Sequence, residues 1–248
     1  MKRNAVRADM ARLVVSLLGA IALLIGPALA GDRAQIDPIG YSADGSYFAF
    51  EEFGVQDGSG FAYSSIYVID VADDSWVVGT PVRVLAQDEQ ASLEDIRAQA
   101  HAEADIYITM LGIAVPAEFV AMIGDGVPGD AGQSLTFGVP GYEVGMVTDS
   151  HTLELARFDT SSATPCQQWF SSTPRGYQLS IADDAGTRVV HRDDSLPRSR
   201  GCPVDYRLYG VLLPFGRDNL QRAVAILSVH TFGFEGPDRR FLAVPLGF

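Results

Sequence analysis

The chain has 248 residues and is acidic, with 31 Asp and Glu against 18 Lys and Arg and a formal net charge of −13 at neutral pH. A chain this acidic repels phosphate backbones, so the composition excludes nucleic acid as an expected partner. Lys2 is the only lysine, and the rest of the chain therefore lacks the side chain that Schiff-base chemistry or a P-loop requires.

The N-terminus has the three parts of a secretory signal peptide. A basic region is followed by the apolar run 13–26 and by the small residues "ALA", which predict cleavage between Ala30 and Gly31. A retained membrane anchor is the alternative, but the run is shorter than the roughly 20 residues that a spanning helix needs. We therefore expect a signal peptide at 1–30 and export to the periplasm or the medium.

The rest of the chain, residues 31–248, has a length that suits a single domain with a sizeable core. Its first part reads as three strands. An aromatic run follows the turn at Asp44, "SIYVIDV" is β-branched and apolar, and "WVVGTPVRVL" resumes after a polar turn. No segment of this domain is long and apolar enough to cross a bilayer.

The period then changes to that of a helix. Apolar side chains recur at steps of three and four residues from Leu93 to Leu111, which places them on one face. Ser92 is suited to cap this helix with Asp95 as its capping-box partner, and Gly112 is suited to end it.

Several alternating or apolar runs separated by glycine-rich loops follow the helix to the C-terminus. They predict strands, so the fold class is mainly β. We expect antiparallel sheets, arranged as a sandwich or a partial propeller, with one amphipathic helix near 92–111.

Cys166 and Cys202 are the two cysteines. An even count in an exported chain predicts a disulfide, whereas metal binding is disfavoured because the chain has no C-x-x-C and no paired histidines nearby. The bridge should stabilise the fold by about 3–4 kcal/mol in the chain-entropy model.

Two stretches share one shape: "FGVQDGSGF" from Phe53 and "FGFEGPDRRF" from Phe232. Each lies between two apolar runs, which predicts a long hairpin whose loop needs glycine. The repeated shape is either architectural or functional. In the functional interpretation both loops lie at one end of the same sheet and present candidate binding residues, namely Asp57, Glu235, Asp238, Arg239 and Arg240.

A second candidate binding segment is "HRDDSLPRSRGCPVDYR". It places Arg198 and Arg200 next to Cys202. A solvated loop of mixed charge is the simpler interpretation. The alternative is a disulfide-tethered arginine cluster that binds a carboxylate or phosphate through paired hydrogen bonds.

The sequence offers little evidence of a catalytic or metal-binding site. The sequence has no G-x-S-x-G elbow, no H-E-x-x-H and no EF-hand loop, and its four histidines are scattered. A Ser/His/Asp triad assembled in space stays open. Asp125 and Asp130 in "GDGVPGD" offer only a weak Ca²⁺ site, since Gly, Pro and Asp are ordinary loop residues. No cofactor is predicted.

Two resemblances add to this. The segment "YSADGSYFAF" with "IYVIDV" resembles one blade of the TolB-like propellers. Most of the chain, through "FEEFGVQDGSGF", "LPRSRGCPVDYR" and "LSVHTFGFEGPDRRFLAVP", resembles a bacterial family of predicted secreted proteins of unknown function. That family implies export and one mostly β domain, and it supplies no catalytic residues.

The sequence therefore favours a non-enzymatic binding or interaction module of the cell envelope. The expected partner is an envelope protein, a peptide or a small anionic ligand. A hydrolase with a spatially assembled site and a purely structural role are the alternatives.

Overall fold

A computed structural model describes residues 31–126, 130–143, 145–233 and 236–248. The predicted signal peptide with Ala30, and the candidate residue Glu235, lie outside the described residues. The strands are β1 Gln35–Ser42, β2 Tyr47–Val55, β3 Ala62–Asp70, β4 Ser75–Trp76, β5 Val82–Leu85, β6 Ile113–Val115, β7 Ala117–Met122, β8 Ser134–Pro140, β9 Val147–Asp159, β10 Arg175–Asp183, β11 Gly186–Arg192, β12 Pro203–Pro214, β13 Val224–Thr231 and β14 Asp238–Pro245. The helices are α1 Leu93–Met110 and α2 Cys166–Phe170, and a 3₁₀ turn spans Arg198–Arg200.

These strands form three antiparallel sheets, which confirms the predicted mainly β fold. The front sheet has the order β4-β3-β2-β1-β6, with β5 also paired to β3. The central sheet has the order β14-β13-β12-β7, and the back sheet has the order β11-β10-β9-β8. β14 is thus an edge strand of the central sheet.

The three sheets are stacked rather than arranged as propeller blades. Alternate residues of a strand point to opposite faces. In β13, Val224 and Ile226 pack with the front sheet, whereas Ala225 and Leu227 pack with the back sheet. The central sheet is therefore buried on both faces, and of the two arrangements predicted it is the sandwich that forms.

Helix α1 covers the outer face of the front sheet, as its apolar period predicts. Ile96, Ala100 and Ala104 are buried against that sheet. The Ser92 hydroxyl accepts a hydrogen bond from the Asp95 amide and donates to the Asp95 carboxylate, so the predicted cap is confirmed. Among the described residues, no helix is long and apolar enough to cross a membrane.

The expectation that the two Phe-Gly hairpins share one sheet is wrong. The first hairpin, β2–β3, belongs to the front sheet, and the second, β13–β14, belongs to the central sheet. The reason is that the two hairpins bury apolar faces against each other, through residues such as Phe50 and Phe241. They pack face to face instead of pairing edge to edge.

Candidate functional site

A cleft lies along the free edge of β14 and is called here the edge cleft. Its volume is about 790 Å³, within the size range of ligand sites. Front-sheet strands β3, β4 and β5 form one wall. Back-sheet residues and the two segments joined by the disulfide form the other. Both Phe-Gly loops reach it, through Gln56 and Phe232.

Four arginines and eight aromatic residues line this cleft. The arginines are Arg83, Arg198, Arg200 and Arg240. The aromatic residues are Tyr63, Tyr67, Trp76, Trp169, Phe170, Tyr177, Phe232 and Phe241. Glu52 and Asp74 are the lining carboxylates. The cleft is thus a cationic, aromatic site in an acidic protein.

The arginines differ in what they already bind. Arg240 lies 2.7 Å from the Asp32 carboxylate, and Arg200 lies over Tyr177 and near Asp193. Within the described residues, Arg83 and Arg198 make no salt bridge, and both are exposed. These two therefore retain the charge and the hydrogen-bond donors that an incoming anion needs.

The disulfide shapes the second wall. Cys166 and Cys202 are bridged with their Cα atoms 5.5 Å apart, which confirms the predicted bond. Cys166 begins α2, which carries Trp169 and Phe170, whereas Cys202 follows the 3₁₀ turn that carries Arg198. One bond therefore holds the aromatic and the cationic parts of this wall together.

Glu52 is buried and pairs with the partly exposed Arg240, and both residues line the cleft. Glu52 Oε2 accepts a hydrogen bond from the Phe241 amide at 2.6 Å, and Glu52 Oε1 lies 3.7 Å from Arg240 Nε. Burial raises the pKa of Glu52 to about 7, against the lowering effect of that hydrogen bond and of Arg240. Glu52 therefore titrates near neutral pH.

This pKa predicts a pH dependence of stability. A carboxyl group whose pKa is higher in the folded state contributes stability that is fully present below its ordinary pKa, about 4.5, and is lost as the pH rises through about 7. We expect the free energy of unfolding of the wild type, relative to Glu52→Gln, to fall between pH 5 and pH 8. Urea unfolding of both proteins at both pH values measures this difference. An equal difference at the two values would contradict the assignment.

The remaining predicted binding residues are more buried than a loop position suggests. The side chain of Arg239 is 12% exposed, donates to the Ala34 carbonyl and pairs with Asp125. Asp238 accepts a hydrogen bond from the Asp32 amide, and burial raises the pKa of Asp238. Asp57 lies in the β2–β3 loop with one carboxylate oxygen buried. Of these three, none lines the edge cleft.

The contacts of Ser64 and His101 bear on the hydrolase alternative. On the helix side of the front sheet, Ser64 donates to Glu51 Oε1, and His101 Nε2 lies 3.0 Å from Glu51 Oε2. Glu51 thus separates the serine from the histidine, whereas a triad needs the histidine against the serine hydroxyl. Ser64 is also fully buried.

In the edge cleft itself, His191 directs both ring nitrogens towards carboxylates. Its Nε2 lies 3.0 Å from Asp193, and its Nδ1 lies 3.9 Å from Asp74. A histidine held in this way has no nitrogen directed at a serine hydroxyl, as a general base requires. The contacts of His191 therefore do not favour the hydrolase interpretation.

The weak Ca²⁺ interpretation falls partly outside the described residues, because 127–129 lie there. Asp125 pairs with Arg239, and Asp130 accepts hydrogen bonds from the amides of its own loop. Among the described residues, no three His, Cys, Asp or Glu side chains converge as a metal site.

Sequence reasoning placed Arg198, Arg200 and Arg240 among the candidates but missed Arg83. Arg83 lies in β5, and its side chain points away from the helix, because Val82 and Val84 face α1. The alternation in "VRV" was the one available signal for Arg83. It indicates that Arg83 lies on the opposite face of the strand from the two valines, but not which part of the protein that face contacts.

The fold and the edge cleft define a class: an antiparallel β protein of three stacked sheets with an arginine-lined cleft at a free strand edge. Residues 49–246 match the family model described as "Predicted secreted protein (DUF2259)", and the chain belongs to this family. The resemblance to a family of predicted secreted proteins and the predicted export are thereby confirmed. No curated protein and no solved structure matches the chain.

Proposed function

We propose that this secreted protein is a non-enzymatic binding module that holds an anionic ligand in the edge cleft. The observation that carries the proposal is the convergence of four arginines on one cleft of a chain whose net charge is −13. A local cationic site in an acidic body attracts anions to that site and repels them elsewhere.

The two arginines that make no salt bridge with the described residues supply the recognition. Arg83 and Arg198 come from opposite walls, the front-sheet strand β5 and the 3₁₀ turn. A guanidinium group offers a planar fork of donors that matches a carboxylate or a phosphate. A ligand between the walls can therefore be bound by charge-assisted hydrogen bonds from both sides.

The aromatic residues favour a ligand with an apolar part beside its charge. Phe170 and Phe232 stack with ring centroids 4.6 Å apart at the rim, and Trp76 and Trp169 are exposed there. Exposed aromatic rings of this kind are typical of binding surfaces. They also give a direct signal, because these two are the only tryptophans of the chain.

Replacing both Arg83 and Arg198 should weaken anion binding strongly. A charge-assisted hydrogen bond contributes about 1.5–3 kcal/mol, so we expect Arg83→Gln with Arg198→Gln to raise the Kd at least about a hundredfold. Tryptophan fluorescence titrated with phenyl phosphate, and with the acidic peptide acetyl-Glu-Val-Glu-Val-Glu-amide, measures this. Benzyl alcohol serves as the uncharged probe.

The matched control is Arg175→Gln, which removes one positive charge from an exposed position outside the cleft. This variant should bind as the wild type does, and stability should change by no more than about 0.5 kcal/mol. If neither anionic probe gives a saturable signal with the wild type, or if Arg175→Gln weakens binding as much as the cleft variants, the proposed function is wrong.

A further inference from the structure

The edge cleft exposes the edge of a strand rather than the face of a sheet. Five consecutive residues of β14, 240–244, line it. A sheet face would contribute every second residue, because successive side chains alternate. Consecutive lining residues mean that the backbone itself faces the cleft.

That backbone edge carries hydrogen-bonding groups that do not pair with β13. The amides of Arg239 and Phe241 point away from β13, since they donate to Asp32 and to Glu52. By the alternation of an antiparallel ladder, the Ala243 N–H and C=O also point away from β13. Apart from one bridge at Arg239, β13 is the one strand that pairs with β14 among the described residues.

Both outer sheets contribute to the cleft beside this edge. Tyr67 and Arg83 of the front sheet and Tyr177 and His191 of the back sheet line it together with β14. The front and back sheets pack on opposite faces of the central sheet, so the gap between them has the thickness of one sheet. It has the shape of a missing fifth strand of the central sheet.

Glu52 already uses part of this edge. Its carboxylate oxygen lies 2.6 Å from the Phe241 nitrogen, where the carbonyl oxygen of a neighbouring strand would lie. Beyond it along the edge lie the Phe241 carbonyl and both polar groups of Ala243, and no side chain or loop of the described residues is hydrogen-bonded to them. An extended segment of about four residues reaches all of them at about 3.3 Å per residue.

We propose that the edge cleft binds an extended acidic peptide, which adds to β14 as a fifth strand of the central sheet. This inference rests on the proposed function and names its ligand class. Backbone hydrogen bonds to β14 supply affinity, and side-chain contacts with the walls supply selectivity, as in other cases of strand addition.

Charge selects an acidic peptide over a basic or neutral one. Among the described residues, Arg83 and Arg198 make no salt bridge, and they lie on opposite walls, so whichever face of an added strand carries the acidic side chains meets a guanidinium group. The chain's net charge of −13 disfavours a second copy of itself as the occupant.

The test uses backbone methylation of the peptide acetyl-Glu-Val-Glu-Val-Glu-amide. One analogue carries N-methyl groups on one hydrogen-bonding edge, and a second carries them on both edges. The first keeps a free edge and should bind as the parent does. The second cannot pair with β14, so we expect its Kd to rise at least tenfold.

A variant of the protein tests the same contact. Ala243→Pro removes the edge-facing N–H, and proline is tolerated in an edge strand where that N–H faces away from the ladder. Ala243→Pro should raise the Kd of the parent peptide about tenfold and leave the binding of phenyl phosphate unchanged. Ala243→Ser keeps the N–H and is the control.

The outcomes separate the two proposals. If the doubly methylated peptide binds as tightly as the parent, or if phenyl phosphate binds and the peptide does not, strand addition is wrong and anion binding stands. If no anionic probe binds, both are wrong. Should Ala243→Pro fail to fold, the methylated peptides still decide the question with the wild type. A dimer in sedimentation at the working concentration, broken by Ala243→Pro, would assign the edge to a second copy and overturn the proposal.

Discussion

Arg240→Met should lower the free energy of unfolding by about 3 kcal/mol. The partners of Arg240 are the nearly fully buried carboxylates of Asp32 and Glu52. Removing the cation leaves Asp32, and Glu52 in its ionised form, without a counter-charge, and breaking a buried pair from one side costs about 3–5 kcal/mol. We take the lower end because the Arg240 side chain is 31% exposed. Urea unfolding measures the loss.

Two comparisons isolate the cause. Arg198→Met removes an exposed arginine and should change stability by less than about 0.5 kcal/mol. Asp32→Asn combined with Arg240→Met removes one uncompensated charge and should recover part of the loss. A loss below about 1 kcal/mol for Arg240→Met would show that the arginine behaves as an ordinary surface charge.

The sequence suggested that Arg240 lies in an exposed loop, and its position in the structure shows why that interpretation failed. A charged pair beside glycine and proline is typical of an exposed loop. The structure instead places Arg240 in β14 and pairs it with Asp32, which lies 208 residues away in the chain. No local pattern reports a partner at that distance. The burial of Arg239 and the ion pairs of Arg240 therefore predict a loss of stability when the two are replaced, larger than that of exposed charges.

Local patterns predicted local structure well. Helix α1 begins and ends where the cap residues and the apolar period place it, because both signals act within one or two turns. The disulfide could also be predicted from the sequence, since two cysteines in an exported chain allow one pairing. In both cases the sequence itself restricts the alternatives.

The sequence did not predict which sheet each hairpin joins. The two Phe-Gly hairpins look alike, yet one lies in the front sheet and the other in the central sheet. Alternation in a strand identifies its two faces without saying which sheet covers each face. The edge cleft is formed by that stacking. The sequence therefore did not indicate that residues such as Arg83 and Trp76 line the same cleft.

Loss of the disulfide should have a comparably large effect on stability. The bridge closes a loop with a sequence separation of 36 residues. In the chain-entropy model a loop of this size stabilises the fold by about 3–4 kcal/mol. We therefore expect Cys166→Ser with Cys202→Ser to lower the free energy of unfolding by about this amount, measured by urea unfolding against the oxidised wild type.

The same variant should also weaken ligand binding while the sheets persist. Both cysteines lie in segments outside the three sheets, and those segments carry Trp169 and Arg198 into the second wall of the edge cleft. Far-UV circular dichroism should keep its β signal, and the Kd for phenyl phosphate should rise because Arg198 is no longer held in place.

Ser162→Ala is the matched control for that wall. Ser162 donates a hydrogen bond to the Gly201 carbonyl and so joins the same two segments without a covalent bond. Its loss should cost only about 1 kcal/mol and leave binding nearly unchanged. If the double serine variant binds phenyl phosphate as tightly as the oxidised wild type, the remaining contacts of the wall, such as the parallel bridge between Ser162 and Leu196, hold Arg198 in place by themselves. The disulfide would then contribute to stability alone.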